Sequence, residues 1–334
     1  MQGRIETLRF ASKLLEGNQL GDPNERDVLV YVPAAYDGQA RFPAVMVLPG
    51  YPSTHRSLLN YDAWKPTLPE RFDRCVADGR SGPALLVMPD AMTRWGGSQY
   101  LDSPSTGRYQ SYLADEVVAA VDGAFRTIPR REARAVVGTS SGGFGALRLA
   151  LDRPDVFAAV GSHAGDAAFE VSLRPMFTRA AIALEQAGGP AAFARAVPET
   201  GPVAPSDHDV AFLLACAAAY APDPDGPLPH GRLPFTLATA TLIPEVWRGW
   251  LAHDPLERLL TTPGALGSMR AIYLDAGSRD EYGLQFAARS LASAMRERGL
   301  SVRHEEFDGS HRGLGWRYET SLPWLVSLLD KTDA

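Results

Sequence analysis

Residues 133–147 read ARAVVGTSSGGFGAL. Residues 133–137 form a short run suited to a strand buried on both faces, and residues 144–151 read as a helix stopped by Pro154. Between them Gly138, Ser140 and Gly142 stand in G-x-S-x-G register. A strand, a turn this tight and a helix in direct succession lift the central side chain above the sheet edge, and the small neighbours are what the tightness demands. The helix N-terminus then favours negative charge nearby. Ser140 is the expected nucleophile. Ser141 is the rival, but in its register the first glycine is replaced by Thr139. A glycine-rich turn could also be purely structural or bind phosphate, although a Walker loop needs a lysine that does not follow here.

Working outward, residues 28–32, Ala44–Leu48 and 85–88 are apolar runs expected as strands. Residues 112–125 have helical spacing, and 156–160 is the next strand candidate. After an interruption the alternation resumes with a strand at 270–274, a helix at 284–298 closed by Gly299, a strand at 302–307 and a helix at 316–329. Such alternation implies an α/β fold with a mostly parallel central sheet and helices on both faces. The interruption, 166–255, holds helical pieces at 176–186, 191–196 and 210–220 and a proline-rich loop at 221–234. It is too long for a simple crossover. The expected organisation is a core of residues 1–165 and 256–334 carrying a helical lid insertion at 166–255.

A serine nucleophile on such a sheet needs an acid and then a histidine further along the chain. In LDAGSRDEYG, Asp275 still belongs to the strand end, whereas Asp280 lies in the loop beyond it, with Glu281 adjacent. Asp280 is the expected acid; capping the next helix is the plainer reading. His311, in the loop EFDGSHRGLGW between the last strand and the final helix, is the expected base, while His304 sits on the strand itself. His311 would take the proton of Ser140, and Asp280 would fix its tautomer. The expected oxyanion hole combines the backbone N–H of Ser141 with that of Tyr51 in LPGYPSTH, where Gly50 permits the turn.

The joint pattern resembles the putative esterase family of α/β-hydrolases, which includes S-formylglutathione hydrolases, feruloyl esterases, enterochelin esterases and mycolyltransferase antigens. The resemblance rests on DVLVYVPAAYDGQARFPAVMVLPG, GTSSGGFGAL, GSRDEYG and FDGSHRGLGW, and runs over 26–162 and 270–329. It implies an α/β-hydrolase fold and Ser140, Asp280 and His311 as the triad. The chain has Pro49-Gly50 where the family usually has His-Gly, and the insertion is not part of the plain fold.

Loops after the strands supply candidate substrate contacts: His55, Trp95, Tyr100, His163 and Asp166, with Trp247 and Trp250 as an apolar wall from the insertion. For each, packing or surface is the plain alternative. His55, His163 and Asp166 match no metal-ligand spacing, so no metal and no cofactor is expected. The 334 residues are 45% hydrophobic, ample for a large core, and the formal charge of −6 leaves no basic excess for nucleic acid or an anionic membrane. No run approaches a membrane span and no secretory signal is visible, so the default location is cytoplasmic. Cys75 and Cys216 read as reduced thiols. The expected partner is a small-molecule ester, and a homo-oligomer is compatible with the sequence. A carboxylesterase acting through an acyl-enzyme leads. An acyltransferase on the same triad, a lactone or amide hydrolase and a non-catalytic binding scaffold are the competing functions.

Overall fold

The apolar runs form the middle of one eight-stranded sheet whose two outermost strands carry charged residues. The computed structural model describes residues 1–201, 205–262, 264 and 266–331. The strands are β1 (Arg4–Ala11), β2 (Glu25–Val32), β3 (Ala44–Leu48), β4 (Leu85–Pro89), β5 (Arg134–Thr139), β6 (Ala159–His163), β7 (Ala271–Gly277) and β8 (Arg303–Phe307). Their spatial order is β1-β2-β4-β3-β5-β6-β7-β8. β2 runs antiparallel to both neighbours, and all other pairs are parallel. β3, β4, β6 and β7 are buried along their whole length, and β3 and β4 accordingly read as unbroken apolar runs. The edge strand β1 mixes charged and apolar residues, and none of its side chains is fully buried.

Helices cover both faces. On one, Val30, Met46 and Val136 pack with Val117, Leu147 and Leu291 from α2 and its lead-in (Val118–Ala124), α3 (Ser141–Asp152) and α9 (Leu284–Glu297). On the other, Val45, Val137 and Tyr273 pack with Phe72 of α1 (Leu68–Ala77) and Leu322 and Leu325 of α10 (Tyr318–Ser327). Successive residues such as Val136 and Val137 serve opposite cores, as the two-residue period of a strand requires.

The register aligns the carboxyl ends: Leu48 pairs with Gly138, Thr139 with His163, His163 with Asp275, and Gly277 with Phe307. The loops leaving β3, β5, β6, β7 and β8 therefore open along one edge, where α/β sheets place their sites.

The insertion lies between β6 and β7. It contains α4 (Phe177–Gln186), α5 (Pro190–Thr200), α6 (Pro205–Tyr220) and α7 (Pro244–Leu251), followed by α8 (Pro255–Thr261). It has its own aromatic core, in which Phe177 meets Phe235 and Trp247, and Tyr220 meets Trp250. Its two ends are tied together by Asp254. The buried carboxylate accepts from the amides of Ala168 and Phe169 at 2.8 and 2.7 Å, and also caps α8 through Leu256 N–H.

Several boundaries differ from the sequence expectation: β2 begins three residues before 28–32, and β7 runs three residues beyond 270–274. β6 begins three residues later than 156–160 predicts. The strand takes in Ser162 and His163, whose burial is tolerated because His163 is fully hydrogen-bonded. β1 escapes the apolar-run criterion because it is an edge strand with half its side chains in water.

Candidate active site

One residue separates β5 from α3, and it carries the strain of the turn. Ser140 has φ 55° and ψ −125°, a conformation that costs a non-glycine residue of the order of 1–3 kcal/mol and persists only where its surroundings enforce it. Here they do. A Cβ on Gly138 would sit 2.2 Å from the Gly142 carbonyl oxygen, and one on Gly142 only 2.0 Å from that of Leu48. The Ser140 amide donates to the His163 carbonyl at 2.8 Å, and its own carbonyl accepts from Phe144 N–H at 2.9 Å. The Ser140 side chain makes no capping bond to the helix and is left free for His311.

His311 Nε2 lies 3.1 Å from Ser140 Oγ, and His311 Nδ1 lies 2.8 Å from Asp280 Oδ2. A carboxylate can only accept, so Nδ1 carries the hydrogen and Nε2 accepts from the serine hydroxyl. The other oxygen of Asp280 accepts from Tyr282 N–H at 2.9 Å. Asp280 thus steadies the turn ahead of α9 with one oxygen and orients the imidazole with the other, while Gly283 and not Asp280 is the helix N-cap. Glu281 Oε2 accepts from His311 N–H at 2.8 Å, and the Tyr282 ring packs edge-on against the imidazole.

On the facing loop, Gly50 runs against the nucleophile: a Cβ there would meet the Ser140 Cβ at 3.1 Å. That approach puts Tyr51 beside Ser140. Ser141 opens α3, whose first amides have no intrahelical acceptor. Tyr100 braces the loop by donating its hydroxyl to the Pro49 carbonyl at 2.5 Å.

Ser140, Ser141, His311 and Tyr51 line a cavity of about 320 Å³. The core adds Tyr282, Leu284 and Arg312; the insertion adds Asp166, Ser172, Met176, His208, Asp209 and Phe212. Burial pushes the Asp166 carboxyl up to about 7, with the Asp280 charge acting in the same direction and His311 opposing it.

Trp95, Tyr100, His163, Trp247 and Trp250, expected at the substrate, do not line this cavity. Trp95 is buried beneath Arg94, and the Tyr100 ring fills the space above Gly145. His163 is sealed from solvent, with Nδ1 2.8 Å from Asp275 and Nε2 2.8 Å from the Ser321 hydroxyl. Trp247 donates to Glu170 and Trp250 to the Arg232 carbonyl, both inside the core of the insertion. Their helical spacing was real, but it faces that core. His55 is buried behind the Tyr51 loop, 3.7 Å from Asp90. Among the described residues, no cluster of His, Cys, Asp or Glu could hold a metal, and no helix is long and apolar enough to cross a membrane. The sequence reading passed over Tyr282 and Arg312, although each adjoins a predicted site loop. Nothing in the sequence of α6 singles out His208 and Asp209.

An eight-stranded, mostly parallel sheet bearing a serine at a strained strand-to-helix turn, with a histidine and an aspartate within hydrogen-bonding reach, is the architecture of an α/β-hydrolase. Residues 21–321 match the family described as Putative esterase, and the chain belongs to that family of carboxylic ester hydrolases. No curated protein sequence matches it. Among solved structures, a ferulic acid esterase is similar at 19% identity, with 98% of this chain and 100% of that one covered and a TM-score of 0.64. An S-formylglutathione hydrolase from Agrobacterium tumefaciens is similar at 17% identity, with 98% and 96% covered and a TM-score of 0.60. A fluorophosphonate-binding serine hydrolase of Staphylococcus aureus is similar at 14% identity, with 97% and 98% covered and a TM-score of 0.60. At these identities the likeness is one of fold.

Proposed function

We propose that the chain hydrolyses a small carboxylic ester through a covalent acyl-enzyme, with Ser140 as nucleophile, His311 as general base and Asp280 as the group that orients it. The observation that carries this reading is His311 bridging Ser140 Oγ at 3.1 Å and Asp280 at 2.8 Å on the wall of the cavity. In the first half-reaction Ser140 Oγ attacks the ester carbonyl as its proton passes to His311 Nε2. The imidazolium is stabilised by Asp280 and returns the proton to the departing alkoxide. Water then enters by the same route, releases the acid and regenerates the serine. The amides of Tyr51 and Ser141 are assigned to the tetrahedral oxyanion, since both residues flank Ser140 on the cavity side. Residues 166–255 act as a helical lid: Met176 and Phe212 supply apolar wall, and the enclosure limits water around the oxyanion.

The test is a screen of 4-nitrophenyl esters of graded acyl length with the wild type and Ser140→Ala, together with mass spectrometry after exposure to a fluorophosphonate. Turnover lost in Ser140→Ala and a single adduct on the peptide carrying Ser140 are expected. Near-wild-type turnover by the variant would remove the serine from the mechanism.

A further inference from the structure

The cavity holds polar groups that the ester-cleaving machinery leaves unused. Asp166 and Ser172 both line it, and both are more than nine-tenths buried at 5% and 3% exposure. Among the described residues, neither Asp166 Oδ2 nor Ser172 Oγ meets a hydrogen-bonding partner. Buried polar atoms are nearly always satisfied, so unsatisfied ones on the wall of one pocket call for an explanation; Ser141 Oγ, beside the nucleophile, is a third. The chain holds Asp166 there firmly. The preceding Gly165 lies so close to the first turn of α3 that a Cβ would meet Gly143 at 2.8 Å and the Ser162 hydroxyl at 2.1 Å. Two residues further on, Asp254 fixes the backbone at Ala168 and Phe169. Met176, Phe212 and Leu284 give the same cavity its apolar wall, and His208, Asp209 and Arg312 add polar and charged groups.

We infer that Asp166 and Ser172 form a hydrogen-bonding subsite for a hydroxyl group of the substrate, so that the preferred ester bears a hydroxyl close to the scissile carbonyl on its acid or its alcohol side. The inference rests on the esterase reading of the same cavity. A hydroxyl both donates and accepts, so it can serve a carboxyl and a serine hydroxyl lining one cavity. Burial favours the neutral form of Asp166, which suits a hydroxyl better than an ammonium group, and Arg312 on the same cavity wall repels a cation. In pockets of this type a few placed polar groups against apolar walls set orientation and selectivity. An analogue lacking the hydroxyl leaves those groups unpaired, so discrimination of tenfold or more is the expected scale.

The experiment compares kcat/KM within matched pairs: 4-nitrophenyl butyrate against 4-nitrophenyl 3-hydroxybutyrate, and propyl butyrate against glyceryl monobutyrate, with 4-nitrophenyl 3-aminobutyrate as the charged counterpart. The wild type should favour one hydroxylated member by about tenfold or more, and Asp166→Leu should bring that ratio close to one. Ser172→Ala should lower the ratio severalfold, which keeps the inference testable if Asp166→Leu does not fold. Ratios near one in both pairs, a ratio that neither substitution moves, or preference for the ammonium ester would overturn it. Ser140-dependent turnover with no hydroxyl preference sinks the subsite alone. Turnover that survives Ser140→Ala sinks the esterase reading beneath it.

Discussion

The amide of Ser140 donates to the carbonyl of His163 at 2.8 Å, so the nucleophile's turn hangs from the end of the neighbouring strand. The His163 side chain anchors that strand in a second Ser–His–Asp arrangement, with Asp275 and Ser321 each at 2.8 Å. Arg317 and Tyr273 complete it by donating to Asp275 Oδ2 at 2.7 and 3.0 Å. The two constellations have similar distances and opposite surroundings. Ser140 and His311 face a cavity, whereas His163 and Ser321 are wholly buried. Ser321 also lies within α10, with no strained turn to present its hydroxyl.

That contrast separates two serines by experiment. Ser140→Ala should lower kcat by roughly 10⁴- to 10⁶-fold with the melting temperature nearly unchanged. Ser321→Ala should retain activity and instead lose about 1–2 kcal/mol of stability, because His163 Nε2 is left buried without a donor. Steady-state rates and urea melts on both variants decide it. An inactive, fully stable Ser321→Ala would place chemistry at the buried cluster.

His163→Leu should be more damaging. It strips the imidazole from Asp275 and loosens the strand end that holds the Ser140 amide. A loss of about 2–4 kcal/mol is expected even though Arg317 still pairs with Asp275. Urea unfolding measures this, and a loss below about 1 kcal/mol would show that the buried network does not hold the elbow.

The core fold could be read in the sequence because central strands such as β3 and β4 are buried on both faces and so are apolar throughout, and because Gly138 and Gly142 mark a turn that admits no other side chain. Ser140, Asp280 and His311 could be singled out because motif register, chain order and loop position agree, and the structure brings the three within hydrogen-bonding distance. The substrate wall was not legible. Trp247 and Trp250 look like pocket aromatics by type and spacing, but whether a helix turns its apolar face to a neighbouring helix or to a cavity depends on tertiary packing. His163 reads in the sequence as a loop residue after the 156–160 strand, and only the positions of Asp275 and Ser321 show it to be sealed inside that strand.

Met176 and Phe212, and not the tryptophans, should therefore set acyl selectivity. Met176→Ala and Phe212→Ala are expected to change the ratio of kcat/KM between short and long 4-nitrophenyl esters by about tenfold, on the scale of 1–3 kcal/mol for a methylene-sized change in an apolar pocket. Trp250→Ala should instead cost about 3–5 kcal/mol of stability, as a large side chain at 0% exposure is removed from the insertion's core. Chain-length profiles and thermal melts distinguish the two classes. A shifted profile in Trp250→Ala with an unchanged melting point would return the tryptophan to the pocket wall.

The last prediction concerns pH and stability. Burial raises Asp166 from 3.8 to about 7 and Asp254 from 3.8 to about 6. In the unfolded chain both carboxyls lose their protons near pH 4, whereas the folded protein keeps them until pH 6–7. Between those limits the folded state binds more protons, so stability falls as pH rises. The contribution is fully present below about pH 4, declines through pH 5 and 6, and is gone above about pH 7. For Asp166 the shift corresponds to at most about 4 kcal/mol. Asp166→Asn cannot ionise and removes that slope. The variant should gain on the wild type steadily from pH 4 to pH 7, and the difference should stay level from pH 7 to pH 9. Urea unfolding at five or six pH values reads the difference directly, and because only its pH dependence matters, any constant effect of the amide cancels. A difference that is flat from pH 4 to pH 7 would mean that Asp166 ionises in the folded protein as freely as in the unfolded chain, which its burial and its unpaired oxygen argue against.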